Sequence, residues 1–323
     1  MRILYLPSSL SQQRQFQKKN VHIYPVLLAM QAEFYRKQGH EVLWNDDILE
    51  CGKIDKVITE PENLPFLSLP HPDRVFTRAK EFTSGNYKYL PGTHILSANG
   101  CIHGKCIFCV ENGKDYQVRP VEDVISEIGE CMKLNFSEVF DDSATFPDGK
   151  WCYDFCNQII FYGNTPYLGC NMRIGADVDF KLMKWAGFRM LLYGVESANQ
   201  ATLNRIQKGV KVEDIIPTIK KASEAGLSPH ICVVFGWEWE TDKEAFNTLN
   251  LVYYLLRKGY AKTAQASFIH CKNIKGNESQ RHFVKDIYKV WKYPDFWFHQ
   301  IKDIKNKDDL KYLWLKIKKG LER

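Results

Sequence analysis

Cys101-Ile-His-Gly-Lys-Cys106-Ile-Phe-Cys109 places three thiols within nine residues. As thiolates they are metal ligands, and their number selects the site: four donors close a structural zinc shell, whereas three leave it incomplete. Three thiolates on a 4Fe-4S cluster leave one iron without a protein ligand, free to take an exogenous chelate. Two rivals stand beside that reading: His103 as a fourth donor to zinc, and cysteines that bind nothing. His103 lies inside the tight loop, poorly set to reach a metal on the same side as its neighbours, and three thiols this close are rare by chance in a reducing compartment.

That compartment is itself an inference. The longest apolar stretches, such as Ile231 to Trp237, fall well below the ~18 residues that a spanning helix needs, so no membrane partner is expected. Met1 leads into Arg2-Ile-Leu-Tyr-Leu-Pro7 with no basic stretch and apolar core of a secretory leader, so a cytoplasmic location is expected for the ten cysteines. At 323 residues, 45% apolar and 25% charged, the chain suits one large or two unequal globular domains. Its net charge of +6 resides in the tail, where residues 272–323 hold 14 Lys+Arg against 7 Asp+Glu. Lys285, Lys289, Lys292, Lys311, Lys316, Lys318 and Lys319 alternate there with Trp291, Tyr293, Phe296, Trp297, Tyr312 and Trp314. This pattern serves either phosphate or nucleic-acid contact or amphipathic helices whose lysines face water.

The elements that must position the thiols follow from periodicity. Residues 2–6 and 41–44 read as strands around a helix near 25–37, the start of a parallel α/β layer. From Pro61 to Pro91 prolines break the pattern, and an interdomain connection is expected there. Strand patterns then recur at 94–99, 137–141, 166–173, 189–195, 229–236 and 263–269, with helices centred near Glu127, Phe155, Met183, Ile216 and Asn250 between them. Six β-α repeats predict a partial (β/α)6 barrel with chemistry at the C-terminal ends of its strands. The expected organisation is a truncated α/β unit at 1–60, a linker at 61–92, the barrel at 93–271 and a basic helical extension at 272–323.

A three-cysteine loop after the first strand of such an array, with Phe108 just before the last cysteine, resembles the radical S-adenosylmethionine (SAM) superfamily. Asp141-Asp142 ends the second strand, Asn171-Met-Arg173 the third, and Gly187-Phe-Arg-Met-Leu-Leu-Tyr-Gly194-Val-Glu196-Ser197 runs into Leu203-Asn-Arg205-Ile-Gln-Lys208-Gly209 at the fourth. With Val233-Val-Phe-Gly236-Trp-Glu-Trp-Glu240-Thr241 and the linker Leu69-Pro-His-Pro-Asp73-Arg74, these segments resemble the branch that carries an N-terminal cobalamin-binding domain. The resemblance implies a 4Fe-4S cluster on Cys101, Cys106 and Cys109, with SAM met by Asp141 and Asp142 at its amino end and by Arg173 at its carboxylate. Glu196, Ser197 and Gly236 complete the implied cofactor contacts. Phe108 would cover the cluster or simply pack. Glu196 is a carboxylate on an apolar strand that needs a partner, which ribose or the SAM amino group would supply. Cys271 and His270 close the sixth strand on the expected substrate side, where a thiol could donate a hydrogen atom. Cys152 and Cys156 share a helical face and read as core, or as a second metal pair.

Three departures qualify the resemblance. Four residues separate Cys101 and Cys106 where the family usually has three, and Gly104 is expected to absorb the extra one at positive φ. The N-terminal segment is short and lacks an Asp-x-His-x-x-Gly stretch, so cobalamin is not expected. The sixth strand runs into Phe268-Ile-His270-Cys271-Lys272 instead of a Pro/Gly-rich turn, so the substrate side is rebuilt. The expectation is a radical SAM enzyme that makes a 5′-deoxyadenosyl radical without cobalamin, drawing electrons from a flavodoxin or ferredoxin type donor. Its substrate would be a small molecule, a nucleotide or a tRNA. The alternatives are a cobalamin-dependent radical SAM methyltransferase and a zinc- or cluster-bearing nucleic-acid-binding protein.

Overall fold

A computed structural model describes residues 1–6, 24–44, 54–82, 87–163, 165–271 and 274–321, with the side chains of 315–321 excepted. The first layer is a small parallel sheet of order β2-β1-β3, formed by β1 (Arg2–Tyr5), β2 (Glu41–Trp44) and β3 (Lys56–Ile58). Helix α1 (Val26–Lys37) follows β1 and buries Val26, Leu28, Ala29 and Met30. The strand-helix-strand unit read from the sequence is present, and β3 adds a third strand to it.

The segment read as a linker is packed rather than extended. Arg74 is 3% exposed and donates to Glu127, to the His94 carbonyl and to Thr93 Oγ1. His71 bridges Asp123 and Glu130, and Tyr24 bonds Thr77. An arginine this deep is tolerated only when each charge is matched, so these contacts fasten the segment to the barrel.

The barrel begins with β4 (Gly92–Ile95), followed by an antiparallel pair, β5 (Ala98–Asn99) with β6 (Gln117–Val118), that closes the base of the cysteine loop. The first barrel strand therefore ends at Ile95 and not at 99, because the chain leaves the ladder to make this pair. Then come α2 (Val121–Lys133), β7 (Glu138–Asp141), α3 (Gly149–Tyr162), β8 (Tyr167–Met172), α4 (Phe180–Trp185), β9 (Phe188–Glu196), α5 (Gln200–Arg205), α6 (Val212–Glu224), β10 (Ser228–Phe235), α7 (Asp242–Arg257) and β11 (Thr263–Phe268). The six barrel strands pair in parallel in the order β11-β10-β9-β8-β7-β4, which is chain order. This is the expected partial (β/α)6 barrel. Helix α2 shows how the helices seat: Val121, Val124, Ile125, Ile128 and Cys131 form one buried stripe, and Glu122 and Asp123 favour its N-terminus. Thr241 and Glu244 make a capping box at the start of α7.

The tail forms α8 (Phe283–Asp286), α9 (Pro294–Ile301) and α10 (Lys307–Leu321), with one 3-10 segment before α8 and another between α8 and α9. Phe296 is buried, Trp291 and Trp297 pack on the core, and Lys289 pairs with Asp286. Lys262 pairs with Asp303, and Lys88 with Asp309. The described tail thus follows the amphipathic-helix reading through Trp297, whereas Trp314 on the last helix is 64% exposed. Lys272 and the side chains of Lys316, Lys318 and Lys319 lie outside the described residues. Among the described residues no helix is long and apolar enough to cross a membrane.

Candidate functional site: a three-cysteine loop at the strand ends

A parallel sheet sends the C-terminal ends of its strands to one edge, and the predicted residues collect there. The cysteine loop follows β4, Asp142 follows β7, Arg173 follows β8, Glu196 ends β9 and Gly236 follows β10.

All three thiols are free and half-exposed. Gly104 takes φ +55 and so absorbs the extra residue, while its carbonyl accepts from Gly113 N–H at 2.9 Å. Partial burial works against the Cys101 thiolate, but the Gly104 and His103 N–H groups, the Thr145 hydroxyl and Arg173 overcome it and lower its pKa. Burial raises the Cys106 pKa, opposed first by Lys208. His103 donates through Nε2 to the Gln207 carbonyl at 2.6 Å, a bond that commits the ring to the neighbouring turn and away from the zinc role. Among the described residues no three His, Cys, Asp or Glu side chains converge closely enough for a single metal ion. A cubic cluster asks less, since each thiolate binds a different iron. The donor set therefore fits a 4Fe-4S cluster.

The turn after α5, Ile206–Gly209, is the seam of the site. Its Ile206 carbonyl accepts from Ile107 N–H at 3.1 Å and its Gln207 carbonyl from His103. The Lys208 and Gly209 carbonyls accept from Arg173 Nη2 at 2.8 and 2.9 Å, and Lys208 Nζ donates to Glu196 Oε1 at 2.7 Å. One turn thus ties the cysteine loop to strands β8 and β9. Glu196 needed a partner, as its chemistry implied, but Lys208 supplies it. Arg173 keeps further donors for a carboxylate.

Asp141 and Asp142 part company. Asp141 is 3% exposed and accepts from Ser97 N–H and Ser143 N–H, a clip between strand ends. Asp142 is open to solvent within a recess. Lost solvation in that recess, then the neighbouring Asp141, push its carboxyl up to about 7. Phe108 packs edge-on against Trp237 at 5.5 Å, with Lys208 Nζ 6.0 Å from its ring centre. Ser197 is sealed, donating to Glu240 Oε1 at 2.6 Å, so it braces the strand end instead of meeting a ligand. Gly236, at φ +90, lies where a Cβ would stand 2.3 Å from the Phe268 ring; the close approach that requires glycine there is to a side chain of β11. His270 is exposed, and half-buried Cys271 bridges to Ile274; among the described residues no hydrogen bond joins either to the cysteine loop. Cys152 and Cys156 are core residues, at 2% and 0% exposure.

One residue escaped the sequence reading. Cys232 pairs in register with Gly194 and Gln265, on the face of the sheet that carries Glu196 and Lys208. Burial, then Glu196, push its thiol up to about 12, so it stays protonated at neutral pH. The alternation of half-exposed Ser228, His230, Cys232 and Val234 along β10 was the available signal.

The model of the radical SAM superfamily matches residues 95–252, which hold the three cysteines and the whole seam. The chain carries a radical SAM domain. Its sequence is 26% identical over 169 residues to an uncharacterized methyltransferase of Pyrococcus horikoshii, covering 50% of this chain and 36% of that protein. The radical SAM methyltransferase TsrM of Kitasatospora setae, solved with cobalamin and a 4Fe-4S cluster, superposes at TM-score 0.51 and 17% identity over 65% of this chain and 40% of that one. The cobalamin-dependent radical SAM enzyme OxsB, solved with aqua-cobalamin and SAM, gives 0.50 and 16% over 90% and 43%. The chain spans less than half the length of each of these proteins, and at such identities the solved structures speak for the radical SAM fold alone.

Proposed function

We propose that this protein is a radical SAM enzyme in which Cys101, Cys106 and Cys109 hold a 4Fe-4S cluster and Asp142, Arg173 and Glu196 orient SAM. When bound, that pair supplies one-electron cleavage of the sulfonium to methionine and a 5′-deoxyadenosyl radical that takes a hydrogen atom from carbon. The observation that carries the reading is the seam at 206–209, which bonds the cysteine loop, the third-strand arginine and the fourth-strand glutamate to one turn.

Each side chain then has a task. Arg173, held by two carbonyls, offers its remaining N–H groups to a carboxylate as a fork. Asp142, once ionised, accepts from an ammonium in its recess. Phe108, braced by Trp237, walls the loop from water on one side. Cys232, Cys271 and His270 are the candidates for the substrate side. We take the substrate to be a small molecule, a nucleotide or a tRNA, and a flavodoxin or ferredoxin type protein is the proposed electron source. The test is anaerobic reconstitution with iron, sulfide, dithionite and SAM. The reading predicts 5′-deoxyadenosine and methionine from wild type and none from Cys109→Ala; no product from a cluster-loaded wild type would sink it.

A second reading, cobalamin-dependent methyl transfer, is favoured by the likeness to the methyltransferase TsrM, solved with cobalamin, and to the cobalamin-dependent OxsB, whose match at 90% of this chain takes in part of the N-terminal segment as well as the barrel. Titration with hydroxocobalamin separates the two: a retained corrinoid spectrum supports methyl transfer, and its absence supports the cobalamin-free reading.

A further inference from the structure

Lys208 and Glu196 form an ion pair in an unusual place. Their side chains are 14% and 10% exposed, and the pair lies flat on the backbone of Gly194, where a Cβ would meet Glu196 Oε1 at 2.5 Å and Lys208 Nζ at 2.8 Å. Glu196 adopts φ +63, rare for a residue with a side chain, at a bulge opposite Val233. A strained backbone, a strand glycine and a sheltered charge pair coincide at one point. Sheltered ion pairs contribute little net stability, because desolvation offsets the attraction. The arrangement therefore calls for an electrostatic reason.

The ammonium is on the side of the cysteine loop. It lies 6.0 Å from the ring centre of Phe108, the residue before Cys109, and its own turn accepts hydrogen bonds from Ile107 and His103 of that loop. Burial disfavours the ammonium, and Glu196 more than offsets that burial, so Lys208 is held firmly as a cation. The carboxylate is thus the anchor and the partial counterweight of a cation beside the cysteine loop.

We propose that the Lys208–Glu196 pair sets the reduction potential of the cluster, with Lys208 favouring the reduced state and Glu196 tempering it. The proposal rests on the reading that a 4Fe-4S cluster occupies Cys101, Cys106 and Cys109. Reduction adds one electron, and so one negative charge, to the cluster; a nearby cation lowers the energy of that state and a nearby anion raises it. Each partner can be neutralised separately, and the two losses must act in opposite directions. A pair that served only to hold the fold would give shifts of one sign, or none.

The test is an EPR-monitored redox titration of the reconstituted protein with mediators and dithionite, without SAM or substrate, on wild type, Lys208→Met, Lys208→Arg and Glu196→Gln. The expected result is a potential more negative than wild type for Lys208→Met, less negative for Glu196→Gln, and close to wild type for Lys208→Arg. Shifts of the same sign in the two neutralised variants, or no shift in either at wild-type iron content, would overturn the proposal. If Lys208→Met fails to load, Glu196→Gln decides: a less negative potential supports the proposal and an unchanged one overturns it. A wild type that yields no reducible 4Fe-4S signal overturns the underlying reading instead, and the two failures are told apart by the wild-type spectrum alone.

Discussion

Glu127→Gln tests what holds the segment before the barrel in place. Glu127 is fully buried on α2, with Arg74 Nη2 2.5 Å from Oε1 and Arg119 Nη1 2.5 Å from Oε2. The two arginines also donate to the carbonyls of His94 and Leu96, at 2.9 and 2.8 Å, on the stretch that enters the cysteine loop. Burial alone would raise the Glu127 pKa; Arg74, Arg119 and His71 reverse that and hold it at about 2, against an ordinary 4.5. At about 1.4 kcal/mol per pKa unit, ionised Glu127 contributes on the order of 3 kcal/mol near neutral pH. The folded pKa is depressed, so this contribution is fully present above about 4.5 and disappears as pH falls toward about 2. Glutamine keeps the shape but turns an N–H toward an arginine, and breaking a buried pair from one side costs roughly 3–5 kcal/mol. Urea unfolding followed by fluorescence of the 8 tryptophans measures the difference between the two proteins at pH 7 and at steps down to pH 3. The reasoning predicts a loss of about 3 kcal/mol or more at pH 7 that narrows below pH 5. A loss under about 1 kcal/mol, or one that does not narrow with acid, would refute it.

Three further outcomes follow from the same geometry. Alanine at Cys101, Cys106 or Cys109 should each abolish iron retention after desalting, while Cys152→Ala and Cys156→Ala keep wild-type iron and lose only about 1–2 kcal/mol of stability; colorimetric iron assay and urea melts report both. SAM affinity, by calorimetry on the cluster-loaded protein, should weaken as pH falls because protonated Asp142 cannot accept from the SAM ammonium; the midpoint lies no higher than about 7, since water reaches the recess. Asp142→Asn should bind SAM more weakly and lose that pH dependence. Gly236→Ala, which forces alanine to φ +90 with its Cβ 2.3 Å from the Phe268 ring, should cost roughly 2–4 kcal/mol in a thermal melt, with part returned by Phe268→Ala.

The barrel was legible in the sequence because parallel strands covered on both faces read as short apolar runs, and the helices between them carry a clear stripe. What escaped has physical reasons. Ala98 and Asn99 are extended like the strand before them, and no residue marks where the ladder stops and the pair with β6 begins. Strand β3 has three residues, too short for a period to show. Prolines between 61 and 91 signalled broken secondary structure, and broken structure is not the same as loose structure: Arg74 is buried only because Glu127 lies 53 positions away in sequence. The chemistry of Glu196 demanded a partner, yet Lys208 could be named only once the turn at 206–209 was folded back over Gly194. The thiols were read from their spacing, and Asp142 and Arg173 from the resemblance to the radical SAM superfamily at the strand ends. Ser197 follows Glu196 in sequence but is turned into the bracing network of Glu240.

The most direct test of the central claim is EPR of anaerobically reconstituted, dithionite-reduced protein before and after SAM is added, alongside metal analysis. Three cysteine ligands and one open iron predict about four iron per chain, an S = 1/2 4Fe-4S signal, and a change in its g-values when SAM binds that open iron. A chain that carries one zinc and no iron, or a cluster whose signal ignores saturating SAM, would contradict the account.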